Sequence, residues 1–297
     1  MTMLTFEELN SDRLFSPKLW KGIAPPNGEG FPSTLSGNPA IGMFDDFTQF
    51  GGILATSDGQ YHSGGNVYRS FQTAATFITN VAETGTAATV APVHRGAISL
   101  TGVANIVDND VETLVAGGNL STPYGCFPYN LIPKMSGDLV FEARFKISSV
   151  AASIGNFFIG LAGAAGVDTA SADCPIADDI MATTLSHVGF GKFGAETTDV
   201  LLSYERASGG DAPSKADVAT IAADTYIKMG FRWDSKTATL TPWIDGAEVA
   251  GSRCSSTTTG TTPWPNDYMT PVVAVRQIDA NTSLTLTLDW WACAQYI

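Results

Sequence analysis

From Asp138 to Ser148 the chain reads DLVFEARFKIS, and its apolar residues fall on every second position. Leu139, Phe141, Ala143, Phe145 and Ile147 share one side, and Glu142, Arg144 and Lys146 share the other. Side chains alternate across a strand but recur every 3.6 residues around a helix, so this run is a strand with one face on a core. The same period governs Phe231 to Gly251, FRWDSKTATLTPWIDGAEVAG. Phe231 and Trp233 alternate, Asp234-Ser235-Lys236 interrupts, and Ala238, Leu240, Pro242 and Ile244 alternate again before Asp245-Gly246. Asp-Gly between alternating runs is the two-residue turn of a hairpin, because both turn positions need positive φ. This stretch is expected to be an antiparallel meander serving as scaffold, with its aromatics toward the core.

The pattern spreads over most of the chain. Strands are expected over 66–80, 96–103, 106–115, 138–148, 156–162, 187–193, 199–206, 225–233, 238–244, 272–277 and 283–291, separated by Gly, Asp and Asn turns. About a dozen strands without strand–helix alternation point to an all-β sandwich or jelly roll of two antiparallel sheets. Residues 1–42 differ. Thr5-Phe6-Glu7-Glu8 fits a capping box, which predicts a short helix over 6–15 ended by Ser16-Pro17. The Pro- and Gly-rich run KGIAPPNGEGFPSTLSGNPAIG follows. The division is therefore an N-terminal extended arm, 1–42, and one β-sandwich domain, 43–297. The arm carries Leu4, Phe6, Leu9, Leu14, Phe15 and Trp20. These are too many apolar residues for a purely solvated tail, so they pack on the same body or on a neighbour's.

Charge narrows the partners. The balance of 16 basic and 29 acidic residues gives −13, and Lys and Arg are scattered singly. Such a surface repels phosphate backbones and anionic lipid, so neither nucleic acid nor membrane is an expected partner. No apolar run approaches the roughly 20 residues that a membrane span requires. The start, MTMLTFEELNSDRLFSPKLW, lacks a basic segment followed by an apolar one. Export is not expected, and Cys126, Cys174, Cys254 and Cys293, widely spaced with no CxxC pair, are read as free thiols. The sequons at Asn119 and Asn281 then carry little weight.

Several motifs carry two readings. GFGKFG, 189–194, matches the dinucleotide fingerprint, but AETTDVLLSYER after it reads as turn and strand rather than helix, so strand-edge glycines are the better account. In DNDVE, 108–112, Asp108, Asp110 and Glu112 would share one face of a strand. Such a triplet is a candidate for Ca²⁺, a hard cation that takes carboxylates, or for a pair of glycosidic carboxylates. The plainer reading is an acidic turn or solvated face. His62, His94 and His187 stand apart and are read as structural or surface residues. No nucleophile elbow or P-loop motif occurs, and no cofactor is expected. Trp243, Trp264, Tyr268, Trp290 and Trp291 could stack on sugar rings, against core or interface packing as the plainer reading. Trp290 and Trp291 are adjacent on one strand, so one of them must face outward or lie under a loop.

The order GAISLTGVANIVDNDVETLVAG, DLVFEARFKIS, FFIGLAG, SHVGF, WIDG, LTLDW, running from about Met43 to Ile297, resembles concanavalin A-like jelly-roll proteins of tailed phages that sit on virions as capsid decoration or cement subunits. The resemblance implies two packed antiparallel sheets, no catalytic residues, and a non-enzymatic structural role. It also implies the major capsid protein and further copies of the chain as partners, a dimer or trimer, and a place on the virion surface after synthesis in the host cytoplasm. The arm lies outside the shared pattern, and Phe6, Leu9, Leu14, Phe15 and Trp20 are its expected contacts. Two alternatives remain. One is a carbohydrate-binding tail or receptor-binding module using the tryptophans. The other is a glycoside hydrolase, since DNDVE also resembles the E-x-D-x-E motif of laminarinase-type enzymes, with Asp108 where that motif has Glu.

Overall fold

The computed structural model describes residues 15–16, 18–21, 40–45, 47, 51–52, 59–63, 66–72, 77–82, 96–101, 111–116, 137–163, 176–177, 180–181, 186–193, 198–205, 214–255, 265, 269–278 and 282–296. These form two antiparallel sheets of nine strands each, beside a two-stranded ladder of Ile176–Ala177 with Ile180–Met181. Edge to edge, the first sheet runs Ala247–Glu248, Thr239–Ile244, Ile227–Asp234, Leu139–Ile147, Thr285–Tyr296, Gly96–Thr101 and Phe77–Ala82. Ala40–Asp45 pairs along the far half of Thr285–Tyr296, and Cys254–Ser255 pairs with Thr239–Ile244. The second sheet runs Ser214–Thr220, Asp199–Glu205, His187–Lys192, Gly155–Gly163, Met269–Gln277, Val111–Ala116, Asn66–Gln72, Gly59–Ser63 and Gly51–Gly52. The expected helix over 6–15 lies outside the described residues except for Phe15, which is in none.

The core is where the two inner faces interleave. Phe141 stacks on Phe231 at 5.4 Å, Phe145 meets the edge of Phe157 at 5.4 Å, and both pairs are enclosed by Ile159, Phe190, Val273 and Leu288. Phe141, Phe145 and Phe231 belong to the alternating sets that the sequence assigned inward. Trp291 is fully buried in this layer beside Phe47. At Asp245-Gly246 the backbone has φ of 47° and 79°, and Ile244 pairs with Ala247, the mirror-image turn that Asp-Gly favours.

Three expectations need correction. The single strand over 66–80 is two, Asn66–Gln72 in the second sheet and Phe77–Ala82 in the first. Ala238, read as part of the alternating strand, sits in the preceding turn with φ of 49°. Trp243 does not face the core: Leu240 does, and Trp243, three positions on, lies on the outer face. The first body strand also begins at Ala40, so it crosses the 42/43 position.

Candidate docking site

Glu142 is the centre of the outer face of the first sheet. Its strand neighbours are Gly230 on one side and Ala292 on the other, and beyond these stand Trp243 and Phe44. Across five strands the row therefore reads large, small, acid, small, large. It forms a notch with an acidic floor and aromatic walls. Val140 and Ala294 continue the low floor on the next row, and Trp290 closes the other side beyond a register shift after Leu288.

Residues 15–16 and 18–21 fill this notch. Trp20 N–H donates to the Ser16 carbonyl at 3.1 Å, so the segment closes on itself as one turn. That turn aims three donors at one carboxylate: Ser16 N–H at 3.0 Å, the Ser16 hydroxyl, and Trp20 Nε1–H at 2.7 Å. Leu19 and Trp20 are buried, while Lys18 and Lys21 are exposed. Phe15 sets its ring against Trp20, Phe44 and Trp290 at 5.0 to 5.2 Å, all edge-on. Arg232 donates to the Lys21 carbonyl at 2.8 Å. Gly230 is required here. A Cβ at this position would stand 2.6 Å from Leu19 Cδ2 and 2.7 Å from the Phe141 carbonyl oxygen.

A buried carboxylate is costly without donors, and this one has them. Burial nonetheless outweighs the hydrogen bonds from Ser16 and Trp20 and the nearby Lys228 charge, and holds the Glu142 pKa above its ordinary value. One strand turn away, Arg144 pairs with Asp289 and lies over the Tyr226 ring at 4.0 Å. The polar side of Leu139–Ile147, which alternation alone would leave to solvent, is thus buried at Glu142 and Arg144.

The outer face of the second sheet is covered as well. Phe158, Phe193 and Ala274 are buried together there, and Gly189 and Gly191 make room for the two rings. A Cβ at Gly189 would come within 2.6 Å of the Phe158 ring. Gly189 and Gly191 lie in a central strand paired on both sides, not at an edge. Beside them His187 Nε2 and Ser203 Oγ are 2.9 Å apart, and Glu205 is the cross-strand partner of His187. A Ser–His pair next to a carboxylate is the raw material of a nucleophile. Here all three residues are at most 1 % exposed, with the Phe158 ring edge-on to the imidazole at 5.9 Å.

Of the residues singled out from sequence, Phe15 and Trp20 come together on the outer face of the first sheet. Phe6, Leu9 and Leu14 lie outside the described residues, as do Asp108 and Asp110. Glu112 is in the strand Val111–Ala116, opposite Val275, and its side chain is outside the described set. Among the described residues no group of three or more His, Cys, Asp or Glu could hold a metal ion. Cys254 and Cys293 are buried thiols, and burial pushes the Cys293 thiol up to about 12. Cys126, Cys174, Trp264, Tyr268, His94, Asn119 and Asn281 fall outside the described residues. Sequence reasoning missed Glu142, Ser16 and Leu19. The available signal was Gly230, a glycine inside a strand, which marks a close approach from above.

No family model matches the sequence, and no curated protein does. Solved structures do. A protein of unknown function from Shewanella oneidensis MR-1 superposes with a TM-score of 0.50 at 12 % identity, over 100 % of this chain and 96 % of that one. The chain has the concanavalin A-like jelly-roll fold. Peanut lectin matches at a TM-score of 0.43 and 11 % identity, over 86 % of this chain and 97 % of its own. An endo-β-1,4-glucuronan lyase from the fungus Trichoderma reesei matches at 0.42 and 13 %, over 75 % and 87 %. At such identities the likeness concerns the fold alone.

Proposed function

We propose that the chain is a non-enzymatic structural protein of a tailed-phage virion, a decoration subunit whose jelly roll is a rigid docking body. The observation that carries this reading is that both outer faces of the sandwich are covered from within. The first is closed by the chain's own residues 15–16 and 18–21 over Glu142, and on the second Phe158, Phe193 and Ala274 are buried beside the Ser203–His187 pair. A face filled in this way suits a body that binds through its rims and termini, and the order of its strand motifs adds support. The test is to add purified protein to capsids that lack it and count copies per particle. Saturation at a fixed copy number is expected; no retention on the capsids would overturn the reading.

Carbohydrate binding is the second reading, and one observation favours it. Trp243 and Trp290 flank the Glu142 notch, and among the described residues their indole N–H groups meet no acceptor. Once the Phe15–Trp20 contact is displaced, aromatic faces beside a carboxylate would suit a sugar, whose apolar face stacks while its hydroxyls donate. Glycan-array binding lost on Trp243→Ala would support this reading; an array that stays blank would end it.

A further inference from the structure

We propose that the outer face of the first sheet is a cationic docking surface for an extended acidic segment of a partner protein. The inference stands on where the fold places charge and holds whether or not the body belongs to a virion.

Basic residues scattered along the sequence are gathered by the fold. Arg144 and Lys146 alternate with the core residues of Leu139–Ile147, and Lys228 and Arg232 with those of Ile227–Asp234, so all four lie on the outer face. Lys228 is the cross-strand partner of Arg144, and Arg232 that of Val140. Lys18 and Lys21 are exposed on the docked turn over Glu142. These six of the chain's 16 basic residues share one face of a chain whose net charge is −13. The described acids of the face are set below it or at its ends. Glu142 is 1 % exposed under the turn, and Asp289 is 2 % exposed and pairs with Arg144. Asp138 and Asp234 accept the backbone N–H groups of Ser235, Lys236 and Thr237.

Several of the cations are held in place before any partner arrives. Arg144 lies 4.0 Å and Lys146 4.6 Å from the centroid of the Tyr226 ring, and Arg232 is tied to the Lys21 carbonyl. Side chains already ordered lose less freedom on binding.

Spacing and charge select the occupant. Residues on one face of a strand recur every ~6.6–6.8 Å, so the run from Lys146 through Arg144 and Lys228 to the level of Arg232 is roughly 20 Å long. An extended polypeptide presents alternate side chains at the same interval, and Asp or Glu at every second position would meet these rows in register. A polyphosphate or an anionic bilayer carries many charges, which the acidic remainder of the chain repels. A short acidic segment carries few, and all of them lie within a Debye length of the cations.

The test uses the full chain and a fluorescent decapeptide of alternating Glu and Thr, followed by anisotropy at about 50 mM NaCl, where exposed charges are weakly screened. Decathymidylate and phosphatidylserine vesicles are compared with it. Lys146→Gln/Lys228→Gln and the single reversal Lys215→Glu, in the edge strand of the second sheet, change the net charge equally. We expect the peptide to bind, the glutamine pair to weaken it at least about fivefold, and Lys215→Glu to change it less than about twofold. Absence of binding, or equal losses in the two variants, overturns the proposal. Tighter binding of decathymidylate or of the vesicles overturns it as well. The unsubstituted chain supplies a second measurement that needs no variant to fold. A carbodiimide joins the peptide's carboxylates to the lysines they touch, and mass spectrometry should find the amide links at Lys146, Lys228, Lys18 or Lys21; links confined to other lysines refute the proposal.

Discussion

Trp20→Ala separates the docked segment from the body. Trp20 is 3 % exposed, and its Nε1–H is one of the donors to the Glu142 carboxylate. Truncating a buried tryptophan costs about 3–5 kcal/mol, and each tenfold in an equilibrium is about 1.4 kcal/mol. The equilibrium between docked and undocked segment should therefore shift by at least about a hundredfold, or run until the segment is wholly free. Trypsin reads this directly. Lys18 and Lys21 are exposed, but the residues between them, Leu19 and Trp20, are held against the sheet, so cleavage requires undocking. When opening is fast relative to cutting, the rate follows the open population. Cleavage after Lys18 and Lys21 should accelerate about a hundredfold or reach the rate of a free peptide, while the sandwich keeps one cooperative transition near its original temperature. If the segment were integral to the body, the same loss would lower Tm by on the order of 10 °C and open sites throughout. That result, or unchanged cleavage at Lys18 and Lys21, would refute the reasoning.

Glu142→Gln should change the pH dependence of stability. Burial raises the folded pKa of Glu142 above 4.5, so between 4.5 and the folded value the native state binds the extra proton. The group's contribution is then greatest below pH 4.5 and declines as pH rises through the folded pKa. Chemical denaturation should show the wild type gaining on Glu142→Gln as pH falls from 7 toward 4.5; the opposite slope contradicts the account. The Cys293 thiol, pushed up to about 12 and buried, should resist a thiol reagent at pH 8 in the native protein and react after unfolding. Gly246→Ala should cost about 1–2 kcal/mol by equilibrium denaturation, since φ of 79° is left-handed and the new methyl would meet Ser16 Oγ at 3.4 Å. Gly189→Val should cost several times more, because the Phe158 ring and the Ile159 carbonyl occupy the space its side chain needs.

Alternation made most of the body legible. Leu139 to Ile147, Phe231 to Trp233 and Leu240 to Ile244 lie as their period requires, and the adjacent tryptophans 290 and 291 lie on opposite faces, the first under Phe15 and the second in the core. Failures came where the local signal was silent. Nothing among Thr73, Ala74, Ala75 and Thr76 announces a turn, so 66–80 read as one strand although its two halves belong to different sheets. Ser214–Thr220, SKADVAT, alternates too weakly to stand out, and Pro39 let the Pro-rich run mask the start of Ala40–Asp45. The site was the least legible part. Period-two alternation says which face a residue takes and nothing about what covers that face. Glu142 therefore read as solvated, when it is the point to which a segment 126 positions away in sequence is tied.

The most direct measurement of the central claim is the copy number of this chain in phage particles purified from the cells that encode it, by quantitative mass spectrometry against the major capsid protein. A docking body without chemistry should appear at a fixed ratio set by capsid symmetry and leave the particles only when they are dissociated. Particles that contain none of it, or a purified chain that turns over a glycan substrate, would contradict the account.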